Sequence, residues 1–260
     1  MRKLLLIGIG SGDPDDVTVQ AVKALACVDV FFVIDKGLSK ADLSGLRTEI
    51  CRRHIPHDRY RVVEIADPQR DRAAAAYGSA VEDWREQRAE RLEQAILREL
   101  PEEGCGGLLV WGDPSLYDST IDVVERILSR GQVQLEYEVI PGISSVQVLA
   151  ARHRITLNRV GGQVLVTTGR RLRAALSEGG RSGELPPGWD DVVVMLDSEC
   201  SFKALTGEDV DIYWSAFLGT EEEVLVSGPA REVAEEIQRV RERARQRKGW
   251  IMDTYLLRRR

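Results

Sequence analysis

Short apolar runs rich in β-branched residues alternate along this chain with stretches of helical periodicity. The apolar runs predict strands at residues 4–9, 28–34, 107–111, 135–140, 164–167, 192–196, 210–214 and 223–227. The periodic stretches predict helices at residues 17–26, 83–100, 119–129, 144–151 and 230–248. Strands that alternate with helices indicate an α/β fold with mostly parallel sheets.

The spacing of these elements changes near residue 140. Before it, long helices separate the strands; after Pro141-Gly142 the strands follow one another more closely, as in a mixed or antiparallel sheet. We therefore predict two α/β domains, 1–140 and 141–260. Within the second, residues 177–189 read as a Gly/Pro-rich loop, and the three C-terminal arginines are expected to form a disordered tail.

The first strand runs into a glycine-rich turn, "LLLIGIGSGDPDDVT". Gly8 and Gly10 fit the GxGxxG pattern of dinucleotide sites, and Asp35 imitates the acidic residue that follows it by roughly 20 positions. Position 13, however, is Asp where the pattern needs Gly, and its carboxylate would repel a pyrophosphate. The turn therefore favours a different ligand over a dinucleotide.

The same turn also has a structural interpretation. Asp13 or Asp15 is expected to cap the helix that begins near Val17. Three glycines at alternate positions nevertheless leave the backbone bare for a close approach. We therefore expect a ligand here as well as a helix start.

The composition of the chain limits the classes of partner that we expect it to bind. Lys and Arg total 36 against 42 Asp and Glu, a net charge of −6, which argues against general nucleic-acid binding but allows a local basic pocket. Four cysteines without a CxxC motif fit a reducing cytoplasm and no metal site. No apolar run approaches the roughly 20 residues of a membrane span, and the first ten residues read as a strand instead of a signal peptide.

Five motifs in order carry a family resemblance: "GIGSGDPDDVTVQAVKAL", "VDVFFVID", "WGDPSLYDS", "PGISSVQ" and "VVVMLDS". Together they resemble the tetrapyrrole methyltransferases over about residues 4 to 230. The resemblance implies two α/β domains with an active-site cleft between them, S-adenosyl-L-methionine as methyl donor and S-adenosyl-L-homocysteine as product. It also implies a homodimer with a tetrapyrrole substrate and a chemistry that requires no metal.

Site residues follow from the resemblance, position by position. The cofactor-binding residues would be Trp111, Gly112, Asp113, Leu116, Ser144, Ser145, Met195, Ala216, Phe217 and Leu218. The tetrapyrrole-binding residues would be Gly10, Ser11, Gly12 and Asp13, with Ser11 standing where the family usually has Pro. Asp35 matches an aspartate that relatives use as proton acceptor.

Further stretches, "FFVIDKG", "ICRRHI", "DPQRDR" and "WSAFLGTEEE", resemble a family member that methylates C1 of precorrin-5 and releases acetate in cobalamin biosynthesis. Deacylation needs water to attack a carbonyl, and a carboxylate such as Asp35 suits the proton transfer. Asp35 as a simple strand-end cap, or a histidine at 54, 57 or 153 in its place, stays open. Candidate partners for the substrate carboxylates are residues 169–173, Arg70, Arg72, Arg152 and Arg154.

Other functions compete with this one. A sister enzyme that methylates another ring carbon, or a diphthamide-type methylase with a protein substrate, would have the same fold. An NAD-dependent oxidoreductase and a non-catalytic tetrapyrrole carrier are the more distant alternatives. Binding of S-adenosylhomocysteine would distinguish the methyltransferases from the oxidoreductase.

Overall fold

A computed structural model describes residues 1–35, 41–68, 77–178, 184–205 and 209–260. The chain packs into two compact units, Met1–Ser144 and Ser145–Arg260. The boundary between them falls a few residues after the hinge predicted at residue 140. In the described part of the chain, no helix has the length and apolar character that crossing a membrane requires.

The N-terminal unit is a parallel sheet with helices on both faces. Its strands are β1 (Arg2–Gly8), β2 (Val30–Asp35), β3 (Arg61–Ala66), β4 (Cys105–Val110) and β5 (Leu135–Ile140), in the order β3-β2-β4-β1-β5. Its helices are α1 (Val19–Leu25), α2 (Ala41–His54), α3 (Tyr77–Glu99) and α4 (Thr120–Arg130). All strand pairs are parallel, which confirms the prediction for this half.

The apolar run of β1 explains its central place in the sheet. Leu4 and Leu6 belong to one buried cluster with residues of α3 and α4, whereas Leu5 and Ile7 belong to another with residues of α1 and α2. Side chains alternate between the faces of a strand, so a strand covered on both faces needs a continuous apolar run.

The C-terminal unit is a mixed sheet, as the closer strand spacing predicted. Its strands are β6 (Val164–Thr168), β7 (Asp191–Met195), β8 (Val210–Ala216), β9 (Val224–Pro229) and β10 (Asp253–Arg259), in the order β6-β7-β10-β8-β9. Only β6 and β7 pair in parallel among these described strands. The helices are α5 (Ser145–His153), α6 (Gly169–Glu178) and α7 (Ala230–Lys248).

The prediction of a disordered C-terminal tail was wrong. Residues 253–259 form β10, the central strand of the second sheet. Arg258 donates to Asp191 at 2.6 Å, Arg259 donates to the carbonyl of Leu185 at 2.8 Å, and Arg260 pairs with an aspartate of β8. The two aspartates offset the charges of Arg258 and Arg260, and the apolar residues before the arginines belong to the core.

The cap of the first helix also differs from the prediction. Thr18, not Asp13 or Asp15, is the N-cap of α1, and its hydroxyl accepts a hydrogen bond from the N–H of Ala21 at 3.0 Å. Asp13 instead caps a short 3-10 turn by accepting from the N–H of Asp15 at 2.9 Å. The intervening turn delays the helix and keeps Asp13 in the glycine-rich loop.

Candidate active site

Three glycines meet at the carboxyl ends of β1, β4 and β5, and we call Gly8, Gly112 and Gly142 the glycine junction. A Cβ added to Gly8 would lie 2.7 Å from the Cα of Gly142 and 2.9 Å from the carbonyl oxygen of Gly112. Because β4 and β5 both flank β1, their following loops converge there. A side chain at Gly8 or Gly142 would force these loops apart, so the site depends on glycine at these two positions.

The glycine-rich loop after β1 is joined to the loop after β4. The N–H of Gly112 donates to the carbonyl of Gly10 at 2.8 Å, and the reciprocal bond measures 3.4 Å. Both residues have positive φ angles, +80° for Gly10 and +61° for Gly112. The resemblance assigned these loops to different ligands, and the structure makes them backbone neighbours.

Asp113 ties the loop after β4 to the loop after β5. One carboxylate oxygen accepts from the N–H of Gly142 at 2.8 Å, and the other accepts from the N–H of Ser115 at 2.8 Å and from its hydroxyl. Burial raises the pKa of Asp113, but these hydrogen bonds outweigh it and hold the pKa below its usual value. The ionised side chain therefore positions both loops.

Ser11 and Trp111 each carry a buried polar atom without a partner among the described residues. Ser11 is only 6% exposed, and its hydroxyl oxygen has no hydrogen-bond partner in the described part of the chain. The indole Nε1 of Trp111 is likewise buried and unpaired. Unpaired buried donors cost free energy, so each one in a native site requires an explanation.

The remaining predicted residues of this unit lie beside the junction. Gly12 is buried within the glycine-rich loop, and the N–H of Leu116 donates to the carbonyl of Asp113 at 3.2 Å. Ser144 is 4% exposed and directly precedes α5, whose first residue, at the start of the C-terminal unit, is Ser145.

In the C-terminal unit, the predicted cofactor residues end two strands that both pair with β10. Met195 of β7 and Ser215 of β8 are both opposite Thr254, so Met195 and Ala216 lie at the same edge of the sheet. Leu196 and Phe217 follow these strands with positive φ angles of 54° and 52°. Left-handed backbone at bulky residues is costly and concentrates at functional sites.

Hydrogen bonds fix the turn after β8. The N–H of Phe217 donates to the carbonyl of Met252 at 3.0 Å. The N–H of Gly219 donates to a carboxylate oxygen of Glu223 at 2.8 Å, and Arg152 donates to the same oxygen at 3.1 Å. Glu223 therefore holds the turn that contains Ala216, Phe217 and Leu218.

A buried polar network supports the segment after β7, and sequence analysis did not identify it. The carboxylate of Asp197 accepts from the N–H of Ser201 at 2.6 Å and from the hydroxyl of Tyr255 at 2.7 Å, and its carbonyl accepts from Arg241 at 2.7 Å. Burial, followed by the charge of Asp197, raises the pKa of Tyr255 well above its usual value. The signal in the sequence was the "LDS" that follows the apolar run of β7.

The predicted proton acceptor, Asp35, is the last residue of β2, and its side chain lies outside what the structure describes. The alternative histidines contact backbone carbonyls. His54 Nε2 lies 2.9 Å from the oxygen of Pro14, and His153 Nε2 lies 3.1 Å from that of Trp214. His57 Nε2 lies 3.3 Å from the carbonyl oxygen of Ala26. Within the described ranges, no three His, Cys, Asp or Glu residues are grouped to hold a metal ion.

The candidate arginines for the substrate carboxylates differ in their ion pairs and exposure. Arg70 and Arg72 lie outside the described residues. Arg152 and Arg173 form ion pairs with Glu223 and Glu199, which reduces their availability to a ligand. Arg154 and residues 170–171 are exposed.

Sequence analysis missed Arg47 in α2. Burial lowers the pKa of Arg47, and the negative charge of Asp118 only partly opposes this effect. A guanidinium that is partly removed from water favours an anionic ligand.

Comparisons with known proteins show which family this chain resembles. A model of the tetrapyrrole (corrin/porphyrin) methylases matches residues 3–234. A precorrin-6A synthase [deacetylating] from Sinorhizobium sp is 48% identical over 258 residues, which cover 99% of this chain and 95% of that relative.

Solved structures share the fold. A putative cobalamin synthesis related protein (CobF) from Corynebacterium diphtheriae superimposes with a TM-score of 0.82 at 35% identity, covering 100% of this chain and 99% of that one. A uroporphyrin-III C-methyltransferase from Thermus thermophilus, crystallised with S-adenosylhomocysteine, has a TM-score of 0.60 at 17% identity, covering 98% and 97%. Because the family model spans nearly the whole chain, the protein belongs to the tetrapyrrole (corrin/porphyrin) methylases.

Proposed function

We propose that this chain is an S-adenosylmethionine-dependent C-methyltransferase that methylates C1 of precorrin-5 and releases acetate, giving precorrin-6A in cobalamin biosynthesis. The observation that carries the proposal is the 48% identity to a deacetylating precorrin-6A synthase across 99% of this chain. A sister methyltransferase would share the fold but would be expected to align over a smaller part of the chain, as the curated C(20)-methyltransferases do.

The residues present fit S-adenosylmethionine. Gly112 is partly exposed, has no side chain and has a positive φ of 61°, so a ligand can approach its backbone closely at the carboxyl end of β4. In the N-terminal unit the residues assigned to the cofactor are Trp111, Gly112, Asp113, Leu116 and Ser144. In the C-terminal unit they are Ser145, Met195, Ala216, Phe217 and Leu218. When bound, the cofactor supplies an electrophilic methyl group.

The protein contributes mainly by positioning. Holding two reactants in line lowers a barrier by roughly 7–11 kcal/mol. Asp113 fixes two loops of the N-terminal unit, and Glu223 fixes the turn after β8 in the C-terminal unit. Neither carboxylate has to react for this role.

For the tetrapyrrole we assign Gly10, Ser11, Gly12 and Asp13, with Asp35 as the proton acceptor. Arg47 joins them as a partner for a substrate carboxylate, because its guanidinium is partly buried. Replacing Arg47 by Ala is expected to raise KM for the tetrapyrrole without changing the affinity for S-adenosylhomocysteine.

The decisive experiment incubates the protein with precorrin-5 and methyl-labelled S-adenosylmethionine. We expect label on C1 together with one acetate per methyl transferred. Label on another carbon without acetate would identify a sister enzyme. S-adenosylhomocysteine is expected to raise Tm, and NAD is not; the reverse result would indicate the oxidoreductase.

We further propose that the protein is a cytoplasmic homodimer. The four cysteines, Cys27, Cys51, Cys105 and Cys200, are free, which suits a reducing compartment. Light scattering on the purified protein tests the dimer, because a mass close to 29.1 kDa would identify a monomer instead.

A further inference from the structure

Each residue of the bridge between Gly10 and Gly112 is next to a residue that carries a buried donor. Ser11 directly follows Gly10, and Trp111 directly precedes Gly112, so each lies one residue from the bridge. Ser11 carries a buried hydroxyl and Trp111 a buried indole N–H, and neither atom has a hydrogen-bond partner among the described residues. The two positions also follow neighbouring parallel strands, β1 and β4.

We propose that Ser11 Oγ and Trp111 Nε1 form a donor pair that binds the carbonyl oxygen of the acetyl group which the substrate loses. This inference rests on the proposed function. It gives both residues a role in the deacetylation step, which precedes the methyl transfer.

The chemistry of the two side chains selects the ligand atom. An indole N–H only donates, so the group that satisfies it must be an acceptor such as a carbonyl oxygen. Both donors are neutral, and the ionised Asp113 lies two residues from Trp111. A permanently charged carboxylate is therefore less suited to this position than a neutral carbonyl.

The step balances with water as the co-reactant. Water adds to the acyl carbon and loses one proton to solvent, and the carbonyl oxygen gains negative charge that the two donors stabilise. The bond between the ring carbon and the acyl carbon then breaks, and the ring carbon keeps its electron pair. Acetic acid leaves and loses its proton to solvent, while the electron pair on the ring carbon forms the bond to the incoming methyl group.

Two single variants and their combination test the proposal. Ser11→Ala removes the hydroxyl, and Trp111→Phe keeps an aromatic ring but removes the N–H. Each is expected to lower kcat for acetate release by about 100-fold. The kcat of the double variant is expected to fall by less than the product of the two single-variant factors, because both donors bind the same oxygen.

Measurements without substrate separate this role from a structural one. Ser11→Ala is expected to keep the wild-type Tm, since the hydroxyl has no partner to lose, and to keep the affinity for S-adenosylhomocysteine. Ser201→Ala is the matched comparison and is expected to lower Tm, because its hydroxyl donates to the carbonyl of Gly169 at 2.9 Å.

Three results would overturn the inference. An unchanged kcat with a raised KM would assign the donors to a peripheral carboxylate of the substrate. A tenfold weaker affinity of Ser11→Ala for S-adenosylhomocysteine would assign the hydroxyl to the cofactor. Unchanged kinetics in both single variants would leave the pair without a role. If the wild-type protein itself releases no acetate, the proposed function fails, and the inference fails with it.

Discussion

Asp113 accepts a hydrogen bond from the backbone N–H of Gly142 at 2.8 Å and so links loops that follow two different strands. Asn at position 113 keeps the size of the side chain but replaces one acceptor oxygen with a donor. We expect Asp113→Asn to lower the free energy of unfolding by about 1.5–3 kcal/mol, the range for hydrogen bonds to charged groups. Weaker binding of S-adenosylhomocysteine is expected to accompany this loss.

Calorimetric titration and chemical denaturation measure the two effects. Asp83→Asn is the matched control, because it removes a carboxylate from an exposed position of α3. Equal affinities for S-adenosylhomocysteine in the two variants would contradict the positioning role of Asp113.

The glycine junction predicts a large penalty for one added methyl group. In Gly142→Ala the new Cβ would lie 2.8 Å from the Cα of Gly8 and still closer to the carbonyl oxygen of Gly112. The backbone must move, and we expect a loss of about 1–3 kcal/mol in unfolding free energy, the usual cost of overpacking. Gly45→Ala in α2 meets nothing within 4 Å and is expected to stabilise by about 0.5–1 kcal/mol. If denaturation curves show that Gly142→Ala is more stable than Gly45→Ala, this account of the glycine junction is refuted.

Glu223 offers a test in the C-terminal unit. Glu223→Ala removes the acceptor for the N–H of Gly219 and the partner of Arg152. If the turn after β8 contacts the cofactor, the affinity for S-adenosylhomocysteine falls by about tenfold, equivalent to about 1.4 kcal/mol. Glu221→Ala, at an exposed position of the same segment, is expected to bind like the wild-type protein. A loss shared by both variants would indicate a general charge effect instead.

Periodicity alone located much of this fold. The run at residues 135–140 and the periodic stretch at residues 230–248 were predicted with the bounds that the structure has. Both signals are local, since burial of one face dictates the spacing of apolar residues. Strand β3 and helices α2 and α6 were missed, because charged residues dilute their apolar pattern.

The site was less accessible to sequence reasoning because it depends on pairing between distant residues. Nothing in the sequence near Asp113 indicates that its carboxylate binds Gly142, and nothing near Ser11 indicates that its hydroxyl has no partner among the described residues. The bridge that brings Gly10 to Gly112 exists only after β1 and β4 have paired. Strand-end motifs identified the loops, and the tertiary fold determines which of their atoms meet.

The C-terminal arginines show the same dependence and give a stability test. Arg258 donates to Asp191 at 2.6 Å, and the side chain of Asp191 is only 1% exposed. Arg258→Ala leaves a buried carboxylate without its main partner, so we expect a loss of about 3 kcal/mol in unfolding free energy. Arg260→Ala breaks an exposed pair with Asp211 and is expected to cost less than about 1 kcal/mol. If urea denaturation gives equal losses of unfolding free energy for Arg258→Ala and Arg260→Ala, the C-terminal arginines contribute only through their charge.

His153 predicts how stability depends on pH. Burial lowers its pKa, although the carbonyl of Trp214 and the charge of Glu223 partly oppose the shift. The unfolded chain therefore binds a proton more readily than the folded chain below a pH of about 6.5. The contribution of His153 to stability is complete above that pH and is lost as the pH falls through the lower folded pKa. We expect Tm to fall less steeply between pH 7.5 and 5 in His153→Gln than in the wild-type protein, as measured by scanning fluorimetry; parallel curves for the two proteins would show that His153 does not carry the effect.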